Sequence, residues 1–538
     1  MTDENKGYPT GTRRLQGRSN AGRQPLLSVM ASACIVAATL AVQSPLAAAQ
    51  AKPDGQVVAP LGSGKAAAIF ASKDRLKIEA MLTDELQRIV DRQKRLEGQG
   101  KVVRVKASLD ITSKALVIDL SRAYVPKYNG GRFEDQQHEL AMAAMSILSG
   151  TIAIDEVRFL FDGKSIHKYF PQDEIAPRQP KATAVEPADL VVVSAAHGYY
   201  YLYGANTWKL QRPTAPHGVF EDFITQYLGQ HLEGYLGARS AANLGIPRSH
   251  ATTTHLPSGQ PWWKMSARTY LESQFPDNPS IWSTSDNQGD DRQYNQDINA
   301  RPMFANHINA TALLNIHTNA DDGSGTARGT IVAYHTGRET SRALGSSVLC
   351  YMAEQIHAVP GYASFPVAAA PTGFTNKGEN ELAHMPAIIV ETAFHTNATD
   401  AAALQDTNFQ KGAMRGVEKG YRMWRQGKPC TTQAIASIPA ATGYSNTAFP
   451  VTVNFQGYPQ LPIKAETKVV SCASGWNCTN MVKSTTVLSE TQLQYQILCT
   501  NSQQTADASF TVDTTLVDAD GVRTAPVRNT YTCKKPTA

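Results

Sequence analysis

Three stretches decide how this chain folds: VVVSAAHGYY (Val191 to Tyr200), ALLNIHTNA (Ala312 to Ala320) and MPAIIVETAFHTN (Met385 to Asn397). Each carries a short apolar run that closes on a polar residue with chemistry to offer, namely His197, His317 and Glu391. Runs of this length read as buried strands, and the C-terminal ends of strands in an open α/β sheet are where ligand-binding and catalytic groups are delivered. Between the two histidines, Phe220, Phe223, Ile224, Tyr227, Leu228, Leu232, Tyr235 and Leu236 recur at helical spacing. They predict a helix with one buried face, opened by Glu221 and Asp222, whose charges suit the helix dipole whatever else they do. The expected fold is α/β, an open mixed sheet with flanking helices over residues 187–429.

Two histidines and a carboxylate are the ligand set of a hydrolytic zinc site, and a second carboxylate is the base such a site needs. Taken singly, each residue has a plain structural reading, since a histidine that ends a strand is often a hydrogen-bonded core residue. Glu391 closes the buried run Ala387 to Val390, where an uncompensated carboxylate is costly and a neighbouring cation removes the cost. Asn319 follows His317 on the same face of its strand. His217, upstream of the helix, ranks below Glu221 as a ligand.

From about Asp189 to Arg425, the ordered motifs AAHG, GVFED, NIHTNADD and MPAIIVETAF resemble those of the zinc-dependent N-acetylmuramoyl-L-alanine amidases of the Amidase_3 family. The resemblance implies that His197, Glu221 and His317 hold zinc and that Glu391 is the catalytic carboxylate. It also implies the substrate, peptidoglycan, and the bond, the amide between N-acetylmuramic acid and L-alanine. Arg301, in INARPMFANHIN, resembles the family's R-x-x-x-A-N helix and with Asn319 is a candidate for substrate contact; a structural ion pair is the other reading of Arg301. The first motif departs from the family's D-P-G-H-G-G: here Ser194, Ala195, Ala196, His197, Gly198 and Tyr199 lack the acidic residue and two of the glycines. That departure leaves a wall-binding protein without activity as one alternative. A metallohydrolase of another amide is a second, suggested by the segment Gly259 to Asn299, which sets Trp262, Trp263 and Trp282 among Gly, Pro, Ser, Asp and Asn. Such a long segment reads as a functional loop, and its aromatic residues suit either sugar rings or a local core.

The chain of 538 residues is long enough for several domains. Its formal charge is +5, and the first 49 residues carry five Lys/Arg against Asp3 and Glu4, which leaves about +2 beyond them. Nothing there points to nucleic acid. The basic start, the apolar run Pro25 to Val42 and the following SPLAAAQA have the layout of a secretory signal over residues 1–51, so the protein is expected to be exported, to the periplasm or beyond. Six cysteines remain after Cys34, an even number that reads as disulfides in an exported protein. The preferred pairs are Cys350 with Cys430, Cys472 with Cys478 and Cys499 with Cys533. Residues 52–186 predict a small α/β domain in which VIDLSRAY, the helix opened by Glu134 and EVRFLFDGK resemble GerM-type domains of bacterial envelope proteins. Beyond Cys430, alternating segments such as FPVTVNF and LQYQILCT predict a small β-sandwich over 430–538, an accessory suited to binding the wall or a partner. A regulatory cell-envelope protein is a further expected partner.

Overall fold

The computed structural model describes residues 74–110, 112–149, 151–174, 189–283, 289–321, 324–478, 485–501 and 506–535. The expected signal segment lies outside them. The described residues begin with α1 (Asp74–Arg92), β1 (Val105–Asp110), β2 (Ala115–Leu120), α2 (Gly131–Leu148) and β3 (Glu156–Phe161). The central region follows with β4 (Leu190–Ala195), the hairpin β5 (Tyr199–Leu202) and β6 (Thr207–Leu210), α3 (Glu221–Tyr235) and β7 (Asn243–Gly245). The small hairpin β8 (Thr254–His255) and β9 (Gln260–Pro261), α4 (Ala267–Gln274), α5 (Arg292–His307), β10 (Ala312–Asn319) and β11 (Ile331–His335) come next. It closes with α6 (Glu339–His357), β12 (Thr372–Phe374), α7 (Gly378–Glu381), β13 (Ala387–Phe394), α8 (Ala398–Gln405) and α9 (Thr407–Arg425).

One mixed sheet of nine strands runs β1-β2-β3-β12-β11-β13-β10-β4-β7. The three deciding stretches are its centre: β10 lies between β13 and β4, parallel to both. Because both faces are covered, these strands are apolar throughout rather than alternating. Val191, Val193, Leu314, Ile316, Ile388 and Val390 face a core made with α3, α6, α8 and α9. Val192, Leu313 and Ala387 face the opposite one, with α4 and α5. Helix α9 crosses α6 at very short range through Gly416 and Gly420, where a Cβ would sit about 2.5 Å from the α6 backbone at Met352 and Val348. Helical glycine is otherwise unfavourable, so here close packing is its use.

The N-terminal region has its own hydrophobic cluster, from Leu82 and Leu86 of α1 to Phe159 and Phe161 of β3, but that cluster takes in Phe374, Ile389 and Phe394 of the central region. Its strands are also hydrogen-bonded into the central sheet, where Gly373 and Phe374 of β12 pair with Glu156 and Val157 of β3. The described part of residues 52–186 is therefore an extension of the sheet rather than a body standing apart from it. The reason is the short β12, whose free side gives β3 a partner.

The segment around Trp262 and Trp263 is also more tightly held than its composition suggests. Arg248, buried, donates to the carbonyl oxygens of Ala196 (2.6 Å), Met265 (3.1 Å), Asp222 (3.1 Å) and Trp263 (3.2 Å), which ties the segment to the loop that carries His197. Trp263 packs on Phe223 and Trp282 donates its indole N–H to the Phe275 carbonyl.

The C-terminal region is a sandwich of two four-stranded sheets. One holds β14 (Ala434–Ser437), β16 (Phe449–Gln456), β19 (Gln492–Ile497) and β18 (Thr485–Ser489). The other holds β15 (Ala441–Tyr444), β21 (Val527–Lys534), β20 (Ala508–Val517) and β17 (Lys464–Ser471). All three expected disulfides are present: Cys350–Cys430 clasps the start of this region to α6, and Cys472–Cys478 and Cys499–Cys533 lie within it. Arg239, in the helical turn Leu236–Ser240 that follows α3, holds Asp520 through two hydrogen bonds of 2.7 and 2.8 Å.

Candidate active site

The sheet brings His197, Glu221 and His317 to one point. One ligand atom from each lies within 4.8 Å of the others, the spread expected of donors around a single small ion. His197 follows β4 in a left-handed backbone conformation (φ 64°), which swings its ring off the strand axis. The next residue, Gly198 (φ 125°), lies so near the Met265–Ser266 backbone that a Cβ would meet Ser266 N at 2.7 Å. Glu221 opens α3, as the helical pattern predicts, and its Oε1 accepts from Thr318 N at 3.0 Å while standing 3.4 Å from His197 Nε2 and 3.5 Å from His317 Nδ1. Glu391 is directly opposite His317 in the β10–β13 pairing.

Each histidine is oriented by a partner on its far side. His197 Nδ1 donates to Gln211 Oε1 at 2.8 Å, which leaves the buried Nε2 with no hydrogen-bond partner and a lone pair facing Glu221. Gln211 is held in turn by Asp297, to which its Nε2 donates at 3.1 Å. This pair, Gln211 just past β6 and Asp297 on α5, stands where an acidic partner for His197 is missing from the motif, and both members lie outside the four motifs. His317 Nε2 donates to Glu379 Oε2 at 3.0 Å. Glu379, on the one-turn α7, carries no signal in the sequence, and only the fold shows its role. Asp222, the neighbour of Glu221, holds the loop together instead, accepting from Gly198 N, Gln211 N and Arg212 N.

Arg301 and Asn319 stand behind this group. Neither has accessible surface. Arg301 pairs with Asp297 and Glu379, so the ion-pair reading describes its geometry and direct contact with a substrate does not. Asn319 accepts from His138 Nε2 at 2.9 Å.

The electrostatics single out two groups. Against the cost of burial, the carboxylates of Glu379 and Glu221 raise the His317 imidazolium to about 10. A cluster that holds a proton this tightly is one that calls for positive charge, and with the orphaned Nε2 of His197 the donor set fits a divalent ion that favours nitrogen and oxygen. Burial raises Glu391 to about 7, and its Oε2 has no hydrogen-bond partner. A carboxyl poised near neutrality with a free oxygen is what a general base requires.

Helix α2 of the N-terminal region forms a wall of the same pocket through Glu134, Asp135 and His138. Asp135 pairs with Arg212 at 2.7 Å, and Arg212 Nε is 3.5 Å from Glu221 Oε2. His138 Nδ1 accepts from Lys377 at 3.0 Å. The space left above the donors is about 70 Å³.

Residues 266–421 match the Amidase_3 family model, described as N-acetylmuramoyl-L-alanine amidase. The matched span contains His317, Glu379 and Glu391, while His197 and Glu221 precede it. No curated protein matches the chain. Among solved structures, the catalytic domain of the N-acetylmuramoyl-L-alanine amidase CwlV from Bacillus (Paenibacillus) polymyxa is 18% identical, covering 45% of this chain and 99% of that one at a TM-score of 0.29. The N-acetylmuramoyl-L-alanine amidase AmiC2 of Nostoc punctiforme is 18% identical over 44% of this chain and 97% of its own, with a TM-score of 0.29. Ami1 from Mycobacterium smegmatis is 14% identical over 44% and 97%, with a TM-score of 0.31.

Proposed function

We propose that the protein is an exported zinc-dependent N-acetylmuramoyl-L-alanine amidase, which cuts the amide between N-acetylmuramic acid and the L-alanine of the peptidoglycan stem peptide. The observation that carries this reading is the convergence of His197, Glu221 and His317 on one point, with Glu391 opposite, in a chain whose residues 266–421 match the amidase family model. His197 Nε2, Glu221 and His317 Nδ1 would hold zinc, with Gln211 and Glu379 fixing the two rings by their other nitrogens. Zinc, when bound, supplies a Lewis acid that polarises the amide carbonyl and acidifies water.

The remaining work belongs to Glu391. Its unpartnered Oε2 accepts the proton of the attacking water and returns it to the amine of L-alanine as the C–N bond breaks. Arg301 acts beneath this chemistry by balancing the charge of Glu379 and so keeping His317 in place. The disulfides and the wall substrate agree with export. Digestion of purified peptidoglycan followed by mass analysis tests the reading: release of stem peptides beginning with L-alanine supports it, and intact amide bonds in the presence of zinc-loaded protein overturn it.

A further inference from the structure

The zinc pocket contains a charged group that the chemistry above leaves unused, the ammonium of Lys377, in the loop between β12 and α7. The arginine on the same wall is spent, because Arg212 pairs with Asp135 and stands 3.5 Å from Glu221. Lys377 is placed differently. Its Nζ donates to a neutral partner, His138 Nδ1, at 3.0 Å. Two carboxylates that line the pocket with it are engaged elsewhere, Glu379 with Arg301 and His317, and Glu134 with Gly378 N at 3.2 Å.

Three observations bear on what this lysine does. First, its ammonium is held in place. His138 Nε2 donates to Asn319 Oδ1 at 2.9 Å, which leaves on Nδ1 the lone pair that accepts from Lys377. Burial, together with the charge of Lys377, keeps the ring neutral. Such a partner takes one N–H and cancels none of the charge, so two N–H donors remain. Second, the charge is felt at the base: burial raises Glu391, and His317 and Lys377 act in the opposite direction. Third, the pocket is about 70 Å³, a space for a few water molecules, and Lys377 lines it together with Glu391 and His317. An amide that enters so small a space meets the polar groups on every wall.

We infer that Lys377 is a catalytic residue, whose ammonium donates to the carbonyl oxygen of the amide to be cut and holds the negative charge that gathers there. The assignment rests on the amidase reading. As water adds to the carbonyl carbon, its proton passes to Glu391 and the π pair of the C=O bond moves onto oxygen, which accepts from Lys377 Nζ. The pair then returns, the C–N bond breaks and Glu391 gives the proton to the departing amine; Lys377 keeps its own protons throughout. A donor aimed at developing charge acts most strongly in the transition state, so it raises kcat more than it changes KM. His138 is a positioning residue for this ammonium, and through it α2 gives the N-terminal region a part in the reaction.

The test uses zinc-loaded full-length protein, a soluble muramoyl-peptide, and a phosphinate analogue of its amide, whose tetrahedral phosphorus carries two oxygens where the attacked carbon would stand. Lys377→Met should lower kcat by roughly 10²-fold with KM close to wild type, and Lys377→Arg should recover part of the loss. Zinc content should stay near one per chain in both. Calorimetry should show the phosphinate bound at least about tenfold more weakly by Lys377→Met. Thermal melting identifies a variant that fails to fold, in which case Lys377→Gln, which removes the charge, decides. A kcat unchanged from wild type, a rise in KM alone, or a phosphinate bound equally by wild type and variant would overturn the assignment. Wild-type protein that binds the phosphinate through Lys377 but frees no stem peptide from sacculi would overturn the amidase reading and leave the role of the lysine standing.

Discussion

Glu391 and His317 are neighbours across one strand pair, yet they are assigned opposite tasks, and substitution separates them. Glu391→Gln keeps the side chain's shape, so zinc content should remain near one per chain while release of stem peptides falls by roughly 10² to 10⁴. If zinc is lost as well, Glu391 is a ligand and the roles are wrong. Gln211 touches His197 from the side away from the ion, so Gln211→Ala should lower zinc affinity by roughly 10- to 100-fold in a competition assay with a chelator. Retained affinity would show that His197 needs no such support. A third residue, His335, gives a pH effect independent of zinc. Burial lowers its folded-state value to about 4 from an ordinary 6.5, so the unfolded chain binds the proton more readily. Its contribution to stability is complete above pH 6.5 and is lost as pH falls toward 4. His335→Gln should therefore show a smaller drop in Tm between pH 7 and pH 5 than wild type, and equal drops would remove this histidine from the acid response.

At the level of elements, the strands and helix that carry the donors were legible because their patterns are local. The runs ending at His197, His317 and Glu391 are apolar on both faces, and the 3.6-residue periodicity after Phe220 places Glu221 in the first turn of α3. What the sequence could not show is delivered by elements with no strong pattern of their own. Glu379 sits on a single turn, Gln211 in the bend just after a four-residue strand, and α2 reaches the pocket only because β3 joins the sheet through pairing with β12 far along the chain. The segment carrying the tryptophans reads as a functional loop in the sequence, yet it holds α4 and is tied to the loop of His197 by the bonds of Arg248 to four carbonyls, which leave no periodic pattern. Tethered in this way, it suits a rim better than a moving lid. Trp262, Trp208 and Tyr201 wall a concave space of about 430 Å³ there, and aromatic walls of this kind suit sugar rings. Trp262→Ala is expected to slow digestion of intact sacculi more than that of a soluble muramoyl-peptide, with zinc content unchanged. Equal rates on both substrates would leave the tryptophan a packing residue.

The whole molecule is held together by a sheet that ignores the divisions suggested by composition. The sandwich is joined to the centre by a disulfide and the Arg239–Asp520 pair, which are side-chain links that could be severed one at a time. The link at the other end is of a different kind, because β3 and β12 share a ladder of main-chain hydrogen bonds and the Phe374 side chain lies in the N-terminal cluster. The catalytic half is thus not a detachable part. A fragment of residues 187–429, cut where composition would place a boundary, would present a bare strand edge and a patch of uncovered apolar side chains, the features that recruit copies of the same chain. It is expected to elute as soluble aggregate or precipitate, whereas a fragment of residues 74–429 should elute as a single compact species; a well-behaved 187–429 fragment would show that β12 does not need its neighbour. Any recombination that traded this catalytic centre between proteins would accordingly have to carry its N-terminal strands along or supply a substitute for them.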